Sequence, residues 1–149
     1  MEVMITVVIV AILASVAYPS YVEYVARGHR TQLKVQMLAA QQWMERRYSE
    51  RHAYDDASIP ANAGNGFSNQ TFATSPPPGE GDARYELKID LNDDKSGYVL
   101  TAQRMGTMAS DRCGSPTVDN HGVKSIVQDS VRGGPYEGDL AKAVADCWR

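Results

Sequence analysis

Polar and apolar positions divide the chain into an apolar opening, a one-sided helix, a polar middle and an alternating C-terminal half. Residues 3–22 carry no formally charged side chain. At about 1.5 Å per helical residue these roughly twenty positions span about 30 Å, the hydrocarbon thickness of a bilayer. Two features depart from a plain anchor: a carboxylate, Glu2, at the outer end and Pro19 shortly before the close. In residues 27–52, Leu33, Met37, Ala40, Met44 and Tyr48 recur at helical spacing, against Gln36, Gln42, Glu45, Arg46 and Glu50. That period gathers the apolar set on one face, made to be buried as core. Gly28 alone interrupts it, at a cost of about 1 kcal/mol that rarely ends a helix. The pattern predicts one helix of about fifty residues, roughly 75 Å long, apolar all round in its first half and one-sided in its second.

Residues 53–82 are rich in Asn, Gly, Ser and Pro and read as a long loop anchored by Ile59, Phe67 and Phe72. The SPPPGEG run at 75–81 stops any helix and delivers extended chain. In residues 85–91, Tyr85, Leu87, Ile89 and Leu91 alternate with Glu86, Lys88 and Asp90, which gives a strand with one buried and one wet face. A polar turn at 92–97 leads into a second strand at 98–105, with Tyr98, Leu100 and Ala102 on one side. A third strand is expected at 116–119 and a fourth at 123–127, joined by Asn120-His121-Gly122; the remainder reads as loop. The fold class is therefore α+β, a long N-terminal helix packed on a three- or four-stranded antiparallel sheet.

Composition narrows the function. With 149 residues and 43% hydrophobic content the chain holds one apolar segment and one small domain. A net charge of −3 provides no overall basic field for nucleic acid, so any such contact is local. Its candidates, Lys88, Lys95, Arg104, Arg112 and Lys124, are scattered and partly offset by Asp90, Asp93 and Asp94. Two cysteines beyond a membrane segment, Cys113 and Cys147, suggest one disulfide made in an oxidising compartment, with a pair of free buried thiols as the alternative. No basic residue precedes the apolar run and no small-residue cleavage site follows it, so it is not a secretory signal. Tyr21 and Tyr24, beside Glu23, suit the membrane interface. The first cations, Arg27, His29, Arg30 and Lys34, follow the span; by the positive-inside rule alone the domain would be cytoplasmic, which conflicts with a disulfide.

Candidate chemistry is sparse. Asp90, Asn92 and Asp94 open like a calcium loop, but Lys95 stands at the glycine position and Thr101 at that of the closing glutamate, so a solvated turn is the better reading. The NAGNG run at 62–66 lacks the Lys-Ser/Thr of a phosphate loop. His29, His52 and His121 have no metal-ligand spacing, and neither metal nor other cofactor is expected. The pairs Asp55-Asp56 and Asp93-Asp94 lie in loops with nothing apolar to raise a pKa, and no nucleophile has a base nearby. An enzyme is not expected.

The opening EVMITVVIVAILASVAYPSYVEYVARG is similar to the N-terminal signature of type IV pilins: a glutamate, an apolar helix, a proline, then Tyr-x-x-Tyr and a basic residue. Gln42-Trp43-Met44-Glu45-Arg46 with Tyr48, Ser75-Pro76, Cys113-Gly114 and Asp146-Cys147-Trp148 resemble PilE-like minor pilins and the related ComP branch. The resemblance implies a fibre-core and transmembrane helix over 1–25 and a globular pilin domain over 26–149. Within the latter fall an amphipathic helix at 26–52, a loop at 53–82, a sheet at 83–127 and a disulfide-bounded region at 113–147. Glu2 then matches the family's assembly contact, which neutralises a neighbour's N-terminal amine, Pro19 the point where the helix bends or loosens, and Cys113 and Cys147 the stapling disulfide. A carboxylate in hydrocarbon costs a few kcal/mol and is retained where a partner needs it, which agrees with that role for Glu2.

The implied function is a structural subunit, a minor pilin, of a bacterial type IV pilus serving biogenesis, twitching motility, adhesion or DNA uptake. The alternative is a ComP-like DNA receptor. Implied partners are other pilin subunits, the inner membrane before assembly, the pilus assembly machinery and prepilin peptidase, with DNA less favoured. The implied location is the inner membrane, single-pass with a periplasmic C-terminal domain, then the extracellular fibre. The family has a short basic leader ending in glycine before a phenylalanine, whereas only Met1 precedes Glu2 here. A leader and first mature residues are expected upstream, and a cytoplasmic basic leader removes the topology conflict. Ala11 stands where the family often has a helix-loosening glycine.

Overall fold

The computed structural model describes residues 2–54 and 66–148. Ile59, the Asp55-Asp56 pair, most of the 62–66 run and the Glu2 side chain lie outside the described set. Helix α1 spans Glu2–Arg51, 50 residues, and continues through Pro19 and Gly28. In its apolar half the hydroxyls of Thr6 and Ser15 donate to the carbonyls of Val3 and Ile12 at 2.8 and 2.7 Å, so these polar groups are satisfied without water.

The second half of α1 buries Ala26, Leu33, Met37, Ala40 and Met44 in one stripe with Arg30. Tyr48, expected to close that stripe, instead lies at the surface, 37% exposed. The space beneath is taken by buried Tyr54, which returns under the helix end, stacks on Tyr48 at 4.7 Å and meets Tyr98 edge-on at 4.9 Å. Its hydroxyl donates to Glu45 at 3.1 Å, which gives the buried ring a satisfied polar tip. Trp43 is a further core residue, with Phe67 and Phe72 edge-on to it at 5.9 and 6.1 Å. These two phenylalanines pin the described end of the long loop to α1.

The sheet has five strands rather than three or four, in the order β1-β2-β3-β4-β5, with every neighbouring pair antiparallel. β1 is Thr74–Ser75, β2 Tyr85–Leu91, β3 Tyr98–Arg104, β4 Pro116–Asp119 and β5 Lys124–Ile126. The extra strand, β1, pairs only Thr74 with Glu86 and Ser75 with Tyr85, too short a run to show alternation. Tyr85, Leu87, Tyr98, Leu100 and Ala102 form the face packed on α1. Asn92 and Asp94 are spent on the β2–β3 turn: the Asn92 side chain accepts from Gly97 N at 2.8 Å, and that of Asp94 from Ser96 N at 3.1 Å.

The C-terminal region is not all loop. Helix α2 spans Leu140–Cys147, and Asp139 caps it by accepting from Lys142 N at 2.9 Å. The Cys113–Cys147 disulfide, Cα–Cα 5.7 Å, joins α2 to the segment before β4 and lies in a second small core with Ile126, Val131, Tyr136 and Ala143. Gly114 makes this junction feasible: its φ is +66°, and a Cβ there would fall 2.3 Å from Ser130 Oγ.

Candidate functional site: the exposed apolar helix and the charged collar at its base

Every described large apolar side chain from Val3 to Val22 is exposed, and no residue of the most apolar window is buried. This is the one described helix long and apolar enough to cross a membrane. Monomeric soluble proteins rarely show contiguous apolar patches beyond a few hundred Å², so this surface demands a covering medium or partner. The outer face of α1 keeps apolar side chains past the span, with Val35 and Leu38 exposed beside buried Leu33 and Met37.

Directly after the span comes a collar of charges. Glu23 Oε1 accepts from Arg30 Nη1 at 3.0 Å, Arg112 Nη2 at 2.9 Å and Arg27 Nε at 3.3 Å. Arg30 also grips Asp111 with two donors, one of them Nε to Oδ2 at 2.9 Å and the other Nη2 to Oδ1. The Tyr85 hydroxyl donates to the same Asp111 carboxylate at 3.4 Å. The collar thus ties α1 to the strand β2 and to the connection between β3 and β4. Burial alone would lower the Arg30 pKa, but hydrogen bonds and charges from Asp111 and Glu23 outweigh it and raise it. Burial, with the Asp111 charge, pushes the Tyr85 hydroxyl above its ordinary range.

Glu23 is the shared acceptor of three arginines, so for the full chain in detergent Glu23→Gln is expected to lower the urea midpoint at neutral pH. A midpoint equal to that of the native chain would refute the role.

Two clefts flank the collar. One, of about 320 Å³, is lined by Tyr21, Val25, Ala26, Thr107 and Met108 and lies between α1 and the β3–β4 connection. The other, of about 370 Å³, is lined by Arg27, Thr31, Lys34 and Asp146; Glu23 and Arg112 border both. Among the described residues no group of His, Cys, Asp and Glu is arranged to hold a metal ion.

The structure does not unite the five candidate cations for DNA. Lys88 projects from β2 and pairs with Glu86 at 3.5 Å, while Lys95 sits in the β2–β3 turn. Arg104 donates to the carbonyls of Asp111 and of Ser130, the latter at 2.9 Å, and so braces the β3–β4 connection. Arg112 belongs to the collar, and Lys124 on β5 lies over the Trp148 ring at 5.4 Å. Sequence places Glu23 at the membrane interface and Arg30 among the first cations after the span but not as partners, and leaves Asp111 unmarked; the available signal was Glu23, Arg27 and Arg30 at helical spacing, with Asp111-Arg112 just before Cys113.

A family model described as "Type IV minor pilin ComP, DNA uptake sequence receptor" matches residues 19–117. A solved type IV pilin from Shewanella oneidensis is 22% identical, with a TM-score of 0.46, over 66% of this chain and 88% of its own. No curated protein matches.

Proposed function

The chain belongs to the type IV minor pilin ComP family, and from that premise we propose that residues 1–25 anchor it in a bacterial inner membrane and later pack in the fibre core. It is a minor pilin, a non-enzymatic subunit that assembles with other pilins. The observation that carries the membrane-to-fibre reading is the exposure of the entire apolar stretch in the isolated subunit. Lipid covers that surface first; neighbouring apolar helices cover it after polymerisation, with the hydrophobic effect opposing its return to water. Residues 26–149 form the domain on the periplasmic side, where the Cys113–Cys147 disulfide is compatible with the redox compartment. Glu2 is the assembly contact and Pro19, which lacks an amide donor, the point where α1 bends. The assembly machinery and a prepilin peptidase are the corresponding partners. The test is mass spectrometry of fibres sheared from the cell surface: this chain is expected among their subunits, and its confinement to the membrane fraction would overturn the reading.

The family's description favours a second reading, a receptor for DNA at the pilus. With Arg104 held by the carbonyls of Asp111 and Ser130, Lys88, Lys95, Lys124 and the half-exposed Arg112 are the cations of the original set left to carry it. Full-length chain in detergent is then expected to retard duplex DNA in a gel, with binding that weakens steeply as salt rises. Absent or salt-insensitive retardation would exclude it.

A further inference from the structure

We propose that the polar cleft beside the collar is a binding site for the phosphate headgroup of an anionic phospholipid. The site depends on the membrane-resident state proposed above. Its position along α1 is the first argument. With the hydrocarbon ending near Val22, Arg27 lies about 7 Å further along the helix axis and Lys34 about 18 Å. The headgroup layer is roughly 5–8 Å thick on each side of the core, which puts Arg27 at phosphate depth. Arg112 reaches the same depth from the other wall, since it bonds to Glu23, one residue past the span. Exposed Tyr21 and Tyr24 lie just beneath this level on α1.

Charge is the second argument. Four cations line the cleft, Arg27, Arg30, Lys34 and Arg112, against two carboxylates, Glu23 and Asp146. A local positive excess of this kind stands out in a chain of net charge −3. Arg30 is buried and its charge is answered by Glu23 and Asp111, so it fixes the wall of the cleft and leaves the anion to the more exposed cations. Arg27 and Arg112 have side chains 70% and 45% exposed and supply the guanidinium donors a phosphate oxygen needs. Burial first, and after it the charges of Lys124 and Arg30, lower the Lys34 pKa. The bilayer surface supplies such groups at high local concentration, whereas a soluble anion or nucleic acid would have to enter the headgroup layer.

The experiment is native mass spectrometry of the full chain in detergent with equal amounts of phosphatidylglycerol and phosphatidylcholine. The native chain is expected to retain phosphatidylglycerol preferentially. In Arg27→Gln that preference should fall by about fivefold, on the basis of about 1 kcal/mol per cation near an anionic surface. Far-ultraviolet circular dichroism and an intact disulfide establish that the variant is folded. An unchanged preference overturns the site, as does displacement of the lipid by excess inorganic phosphate or by duplex DNA, which would assign it to a soluble anion or to nucleic acid. Alkaline carbonate extraction separates the two readings: release of the native chain removes the span and the lipid site together, whereas membrane retention with no headgroup preference removes the site alone.

Discussion

Asp111→Ala is expected to destabilise the protein by about 3–5 kcal/mol, the usual cost of removing one partner from a buried ion pair. The side chains of Arg30 and Asp111 are only 7% and 4% exposed, so water cannot replace what the mutation removes. Arg30 would lose two donor contacts and keep Glu23 as its remaining carboxylate. Tyr85, fully buried, would lose its acceptor as well. Urea unfolding of the full chain in detergent, followed through Trp43 and Trp148, measures the loss. A change below about 1 kcal/mol would mean that the pair returns little more than its desolvation cost. The double variant Arg30→Met/Asp111→Leu supplies the contrast: with both charges gone it is expected to recover most of the stability, because an apolar pair needs no desolvation to pack.

The same residues show where sequence reading reached its limit. α1, β2 and β3 were legible because their periods act within the segment: Leu33, Met37, Ala40 and Met44 repeat as a helix face, and Tyr85 to Leu91 and Tyr98 to Ala102 alternate as strands. Tyr48 continues the helical period but lies beyond the part of the core that α1 itself covers, and Tyr54 fills the position from a turn that periodicity does not describe. β1 has two residues and exists only through its pairing with β2. α2 had a readable start in Asp139, followed by the small and helix-favouring Leu140, Ala141, Lys142 and Ala143, but eight residues fell below a convincing period. The collar was out of reach for another reason. Arg30 and Asp111 are 81 positions apart, and whether an arginine faces solvent or a buried carboxylate is decided by tertiary structure. That is also why Arg104 reads as a surface cation and proves to be a brace of the β3–β4 connection.

Glu2→Ala is expected to leave the chain in the membrane while reducing its incorporation into pili by at least about a hundredfold, the equivalent of roughly 3 kcal/mol. The two effects separate because the carboxylate bears on them in opposite directions. Within the bilayer it is a liability, since a charged side chain in the hydrocarbon costs about 2.5 kcal/mol or more, and alanine makes insertion of residues 3–22 easier. In the proposed fibre its role is counter-charge to a neighbouring subunit's amine, and its removal would leave that amine buried without a partner. Glu2→Gln retains a hydrogen-bond acceptor without the charge and is expected to fall between the two. By contrast, Val8→Ala removes two methyl groups from the apolar surface, leaves the charge in place, and should change incorporation only modestly. The readout is the ratio of this chain in sheared fibres to that in the membrane fraction, by quantitative immunoblot. A native ratio for Glu2→Ala would remove the assembly role from Glu2 and leave the exposed helix surface as the sole basis of polymerisation.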